Sequence, residues 1–189
     1  MLDEITIKPW AACSDIHPLI QATQELCRVH GITADRIERI EATGPTKAAT
    51  QNVLDGTVSV MAAQYSGPWN IAAAVLADPA DPATYAPARI ATPEIIALQD
   101  KVVSIEPDPR WDATYAWKMG GSIRMTLVDG RTLEHAVHGQ RGSMHDPFAM
   151  SDIEDKARRL IGDKAASLSD WVARLAAAAR VDLAQAGAF

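Results

Sequence analysis

The sequence predicts an α+β fold, a mixed sheet with helices packed on it and further helices at the C-terminal end. Three observations carry this. The stretch SIRMTLVDGRTLEHAVHG holds two alternating apolar–polar runs joined by Asp129-Gly130, the signature of a β-hairpin with a type I′ turn. Several other stretches repeat their apolar residues at helical spacing between serine, proline and glycine end signals. Strands and helices then follow one another without regular alternation, which separates α+β from a doubly wound parallel sheet.

In order along the chain, EITIKPW reads as a strand with Ile5 and Ile7 on one face and Thr6 and Lys8 on the other. A helix follows from about Ser14 to His30. Its stripe is Ile16, Leu19, Ile20, Thr23 and Cys27, and Gly31 stops it. DRIERIEATGP reads as a short strand whose polar content suits an edge or a half-exposed face. From Thr46 to Asp78 the pattern is mostly helical. Ser66-Gly67-Pro68 interrupts it, and because proline is tolerated only at a helix start, two helices meet there. ADPADPATYAPA is a proline-punctuated loop, and Thr92-Pro93-Glu94 opens a helix ending near Lys101. VVSIEPD is a strand and the hairpin comes next. Ser151 with Glu154, and Ser167 with Asp170, have the spacing of capping boxes for two last helices. The second of these carries the stripe Leu168, Trp171, Val172, Leu175 and Ala179, which has to bury against something.

At 189 residues, 48% hydrophobic and 22% charged, the chain has the makings of one core with an appendage. A net charge of −6 argues against non-specific nucleic-acid binding, so no nucleic-acid partner is expected. Cys13 and Cys27 make no disulfide framework and suit a reducing cytoplasm. MLDEITIK lacks a basic start before an apolar stretch, and the longest apolar run, Ile71 to Ala77, is too short for a bilayer. No membrane association is expected. Neither is a metal: His135 and His138 are three apart on an expected strand and point to opposite faces. His145-Asp146 has no partner at ligand spacing, no glycine-rich phosphate loop occurs, and no cofactor is expected.

KPWAACSDIHP, residues 8–18, resembles the K-P-[YW]-x-x-C-x-x-x-H-P segment of the MmgE/PrpD family. That family includes 2-methylcitrate dehydratase, cis-aconitate decarboxylase and iminodisuccinate epimerase. AAQYSGPWNIAAAVL resembles its A-Q-[FY]-S-x-P-[YW]-x-x-A-x-A-L helix pair, and KVVSIEPD, LVDGRTLEHAVHG and HDPFAMSDIEDKARRL fall in the family's order. The likeness runs from Lys8 nearly to the end of the chain. Family members have a large helical domain, then a small α+β domain like this chain, then helices that return to the helical domain. The resemblance implies a small domain over 1–150, with helices over 151–189 that pack on a separate helical partner or on the domain itself. This chain starts, with a methionine, at the small domain's first strand. The expectation is therefore the small-domain subunit of a split enzyme, a lyase or isomerase joined by a separately encoded helical protein. Its chemistry would be cofactor-free proton abstraction on a small di- or tricarboxylate, leading to dehydration, decarboxylation or epimerisation. The alternative is a non-catalytic carboxylate-binding or oligomerisation domain, with further copies of itself as partner.

The residues that match the family's motifs give the candidate site. By its position alone, Lys8 is either a surface lysine or, beside a helix start, part of an anion seat. The resemblance places it in the active-site pocket, binding a substrate carboxylate and secondarily donating a proton. Cys13 stands where the family has cysteine or, in cis-aconitate decarboxylases, a pocket histidine, which counts against decarboxylation of that kind. It is a small buried residue or a reactive thiol. His17 caps its helix or orients a ligand. Ser66 binds a second carboxylate or caps locally, and Gln64 contributes an amide or faces solvent. Trp69 takes the place of a tyrosine in the decarboxylases, and an indole donates a hydrogen bond without acting as an acid. The aromatic loop Arg110 to Trp117 is pocket rim, interface anchor or core.

Overall fold

From Ile40 onwards the run I-E-A-T-G alternates apolar or small residues with polar ones, and it forms the second half of β1 (Ile37–Gly44). The other strands are β2 (Val102–Pro107), β3 (Gly121–Leu127) and β4 (Thr132–Val137). The computed structural model describes residues 5–53 and 59–177. They fall into two units, Met1–Pro147 and Phe148–Phe189. The sheet order is β2-β1-β3-β4, with β1 parallel to β2 and the other pairs antiparallel. β1 is thus an inner strand, and its polar residues do not mark an edge. They lie on the sheet's open face, where Glu41, Arg124 and Glu134 sit side by side across three strands. Arg124 pairs with Glu134 at 3.0 Å and Arg39 with Glu41 at 2.9 Å.

The helical layer covers the opposite face. It contains α1 (His17–His30), preceded by a 3₁₀ turn over Ser14–Ile16, and α2 (Thr46–Gln51), α3 (Val60–Tyr65) and α4 (Gly67–Leu76). After these come α5 (Pro87–Ile90) and α6 (Pro93–Gln99); the short α7 (Pro109–Asp112) follows β2 and brings Trp111 to Thr43 of β1. α1 lies on β3 and β4, α4 lies near β2 and against α6, and the two helices pack on each other. Leu19, Ile20, Ile40, Trp69, Ile71, Ile123 and Met125 are buried between the layers. Each such aliphatic side chain contributes about 1.5–3 kcal/mol from its burial. α1 ends at Gly31, which is left-handed (φ 60°), and the Ile32 N–H closes on the Cys27 carbonyl at 3.0 Å.

Three local expectations are corrected. Residues 5–8 form no strand: Ile5 and Ile7 are exposed, and one backbone bond, Ile7 N–H to Gly142 O, ties them to the domain. The hairpin turn is not type I′, because only glycines have positive φ among the described residues. The Gly130 N–H closes on Leu127 O and Leu127 N–H on Arg131 O, which makes a three-residue loop with Gly130 left-handed (φ 84°). This geometry keeps Asp129 out of the strained region that type I′ would demand.

The third correction concerns the second unit, α8 (Met150–Ile161) and α9 (Lys164–Ala177). α8 starts two residues earlier than the Ser151–Glu154 spacing implies. Its N-cap is Ala149, whose N–H donates to the Asp152 carboxylate at 2.7 Å. Ser167 lies inside α9 and does not cap it. Of the expected stripe, Trp171 is half-buried and Val172 exposed, while the Leu168 and Leu175 side chains and Ala179 fall outside the described residues. No helix among the described residues is long and apolar enough to cross a membrane.

Gly120 sits where Trp111 folds over the end of the sheet. A Cβ there would meet the Trp111 ring at 2.6 Å and the Val137 carbonyl at 2.9 Å. The indole has little room to retreat, since its N–H is bonded to Thr43 Oγ1 at 2.9 Å and Thr43 to Ser122 at 2.8 Å. Gly120→Ala is expected to destabilise the domain by about 1–3 kcal/mol, read from urea unfolding midpoints at unchanged slope.

Candidate functional site

The break between α3 and α4 leaves carbonyls at the joint that side chains and neighbouring segments help to satisfy. The Asn70 side-chain amide donates to Ala63 O and Ser66 O, each at 2.7 Å. Asn52 donates to Tyr65 O at 2.8 Å and accepts, through its own carbonyl, the Gly67 N–H at 2.7 Å. The remaining carbonyl of the turn, Gln64 O, accepts the Cys13 N–H at 2.8 Å. That bond brings the loop before α1 against the end of α3.

The loop itself folds around one carbonyl. Ala12 O accepts from Lys8 Nζ at 3.1 Å and from His17 Nε2 at 3.2 Å, so the proton of the buried imidazole lies on Nε2. Between the loop and α3 lies a pocket of about 250 Å³ lined by Lys8, Ala11, Ala12, Cys13, Gln64 and Tyr65. Its walls offer an ammonium, a thiol, a carboxamide and a phenol. Those groups bind and donate to an anionic oxygen. Among the described residues that line it there is no carboxylate and no imidazole.

Directly behind Cys13 is a buried carboxylate, Asp15, only 5% exposed. Its Oδ1 accepts the Tyr115 hydroxyl at 3.0 Å. Its Oδ2 lies 3.7 Å from both the Cys13 thiol and Lys47 Nζ. The Tyr115 hydroxyl and the Asp15 charge push the Lys47 ammonium up from its ordinary value, and burial pushes the Tyr115 phenol up.

Of the residues singled out in the sequence, Lys8, Cys13 and Gln64 come together in this pocket. His17, Ser66 and Trp69 do not. His17 is fully buried beneath the loop, edge-on to Trp10 with ring centres 5.2 Å apart. Ser66 is buried and caps α4, its Oγ accepting the Trp69 N–H at 3.2 Å. Trp69 is 0% exposed, packs tilted against Tyr85 with ring centres 5.3 Å apart, and donates to Ile90 O at 3.0 Å. The aromatic loop divides its roles: Trp111 is buried, Tyr115 reaches Asp15, and Trp117 is 61% exposed.

Tyr65, Asp15 and Lys47 are absent from the sequence-based candidates, and Tyr115 enters them only as part of the aromatic loop. Tyr65 follows Gln64 directly, and that neighbour is a usable signal. Nothing local joins Asp15 to Tyr115, because the two are 100 residues apart.

The family model described as "MmgE/PrpD C-terminal domain" matches residues 10–177 of this chain. No curated protein matches it.

Two outcomes follow from this geometry. Asn70→Ala leaves two joint carbonyls and the Tyr85 hydroxyl, now 2.7 Å from Asn70 Oδ1, without that partner. It is expected to cost about 2 kcal/mol or more in a denaturation experiment. Cys27, on α1, is a thiol that burial pushes up to about 11 from 9.0. The folded chain keeps that proton while the unfolded chain releases it, so stability falls as pH rises from about 9 towards 11. The fall in melting temperature over that range is expected to be smaller in Cys27→Ala.

Proposed function

The chain belongs to the MmgE/PrpD family as its C-terminal domain, and on that premise we propose that it presents one half of an active site for a small di- or tricarboxylate. The observation that carries this is the content of the Lys8 pocket: a cation and proton donors from Cys13, Gln64 and Tyr65, without a carboxylate or imidazole among its described lining. Proton abstraction next to a carboxylate needs both a base and positive groups that stabilise the carbanion. Lys8 binds a substrate carboxylate and is the nearest donor to it. The base comes from a helical domain carried by a separate protein, and the reaction is cofactor-free dehydration, decarboxylation or epimerisation.

A second reading, carboxylate binding or oligomerisation without catalysis, is favoured by Trp69. Its indole is spent on Ile90 O in the core, so that position supplies no proton donor to the pocket.

Purification of the chain from its native source, with mass spectrometry of stoichiometric companions, separates the two. The enzyme reading expects a helical MmgE/PrpD-type protein. The reconstituted complex should turn over a small di- or tricarboxylate, and Lys8→Ala should lower kcat/KM by about a hundredfold, the scale of one lost charge-assisted contact in a transition state. Recovery of this chain alone, as monomer or homo-oligomer, overturns the two-subunit reading.

A further inference from the structure

We propose that Cys13 is a nucleophile of the Lys8 pocket, alkylated by small carboxylates that carry an electrophilic carbon beside the carboxylate or conjugated to it, with Asp15 taking the thiol proton. This rests on the carboxylate-binding reading given above and adds a covalent step to it.

The thiol is held from three directions. The Cys13 N–H donates to Gln64 O at 2.8 Å, and the sulfur lies 3.7 Å from Asp15 Oδ2, the buried carboxylate behind it. In front, the Lys8 ammonium donates at 3.1 Å to the Ala12 carbonyl, and the peptide of that carbonyl leads directly into Cys13. Lys8 and Cys13 thus line one cavity of about 250 Å³, and their anchor points are neighbours on the backbone. A carboxylate seated on Lys8 brings its own carbon skeleton to the sulfur, which replaces a bimolecular encounter by an intramolecular one.

The second thiol gives the contrast. Cys27 is also partly exposed, yet burial pushes it up to about 11 from 9.0. A thiol reacts when a positive group, a proton acceptor and an opening to the reagent meet at the sulfur. At Cys13 these are Lys8, Asp15 and the pocket.

The step balances without an oxidant. A sulfur lone pair forms the S–C bond while the S–H proton passes to Asp15 Oδ2 and then to water. In a halocarboxylate the carbon–halogen bond breaks and halide leaves. In a conjugated acid the C=C pair moves to the carbon next to the carboxylate, which takes a proton from Lys8. Either route ends in a thioether.

The test is alkylation of the full chain near neutral pH and at low ionic strength, with iodoacetate and, separately, with iodoacetamide. Peptide mass spectrometry follows both cysteines. Cys13 is expected to react about tenfold faster with iodoacetate than with iodoacetamide, while Cys27 reacts slowly with both. Lys8→Ala should bring the Cys13 ratio down to that of glutathione, and Lys8→Arg should keep most of it. Asp15→Asn should slow both reagents about tenfold and leave the ratio in place. A wild-type ratio no greater than glutathione's overturns the proposal, and so does a preference that survives Lys8→Ala. Undiminished rates in Asp15→Asn overturn the role given to Asp15, and the Lys8 variants decide the rest even where Asp15→Asn does not fold. An NMR titration with acetate separates the two layers. Acetate that shifts Lys8 and Cys13 signals beside a low alkylation ratio sinks the covalent step alone, whereas no acetate effect sinks the carboxylate-binding reading.

Discussion

A helix that breaks leaves carbonyls that its own turns do not fully satisfy, and the α3–α4 joint is such a break. Ser66-Gly67-Pro68 sets it, since proline has no N–H to continue the ladder. Asn70 and Asn52 donate to three of the joint's carbonyls, of which Ala63 O and Ser66 O also accept a backbone N–H. The fourth, Gln64 O, is closed by the backbone of Cys13, far away in sequence. This pairing ties the loop before α1 to the end of α3. The pocket is the space left between them.

The same economy explains why so much of the recognisable motif is structural. His17 and Lys8 share the Ala12 carbonyl, one from below and one from the exposed side. His17 shapes the loop and Lys8 shapes it while remaining on the pocket wall. Ser66 and Trp69 are spent on the joint and on the α5 carbonyl of Ile90. A motif of eleven residues therefore combines a pocket wall with the supports that hold that wall still.

Asp15 links this region to the rest of the domain. A carboxylate at 5% exposure has to be neutralised and hydrogen-bonded, and its partners come from α2 and from the loop after α7. That requirement draws Lys47 and Tyr115 to the back of Cys13. It also ties the aromatic loop to the entry of α1, while Trp111 at the other end of that loop is fastened to Thr43 on the sheet.

The sequence by itself determined the elements whose signals are local. Periodicity and Gly31 gave α1, proline positions gave the starts of α4 and α6, and alternation gave β1, β2 and the hairpin strands. Its motifs also determined the family and put Lys8, Cys13 and Gln64 on one short list. Tertiary structure decided what local spacing cannot encode. A serine and an acid three apart occur inside helices as well as at their ends, so the caps of α8 and α9 fell elsewhere. The polar β1 became an inner strand because only the sheet order says which strands lie beside it. Which members of the motif face the pocket depended on pairing across the α3–α4 joint. The cluster around Asp15 depended on contacts spanning up to 100 residues, and hydrogen bonds of that range leave no period in a sequence.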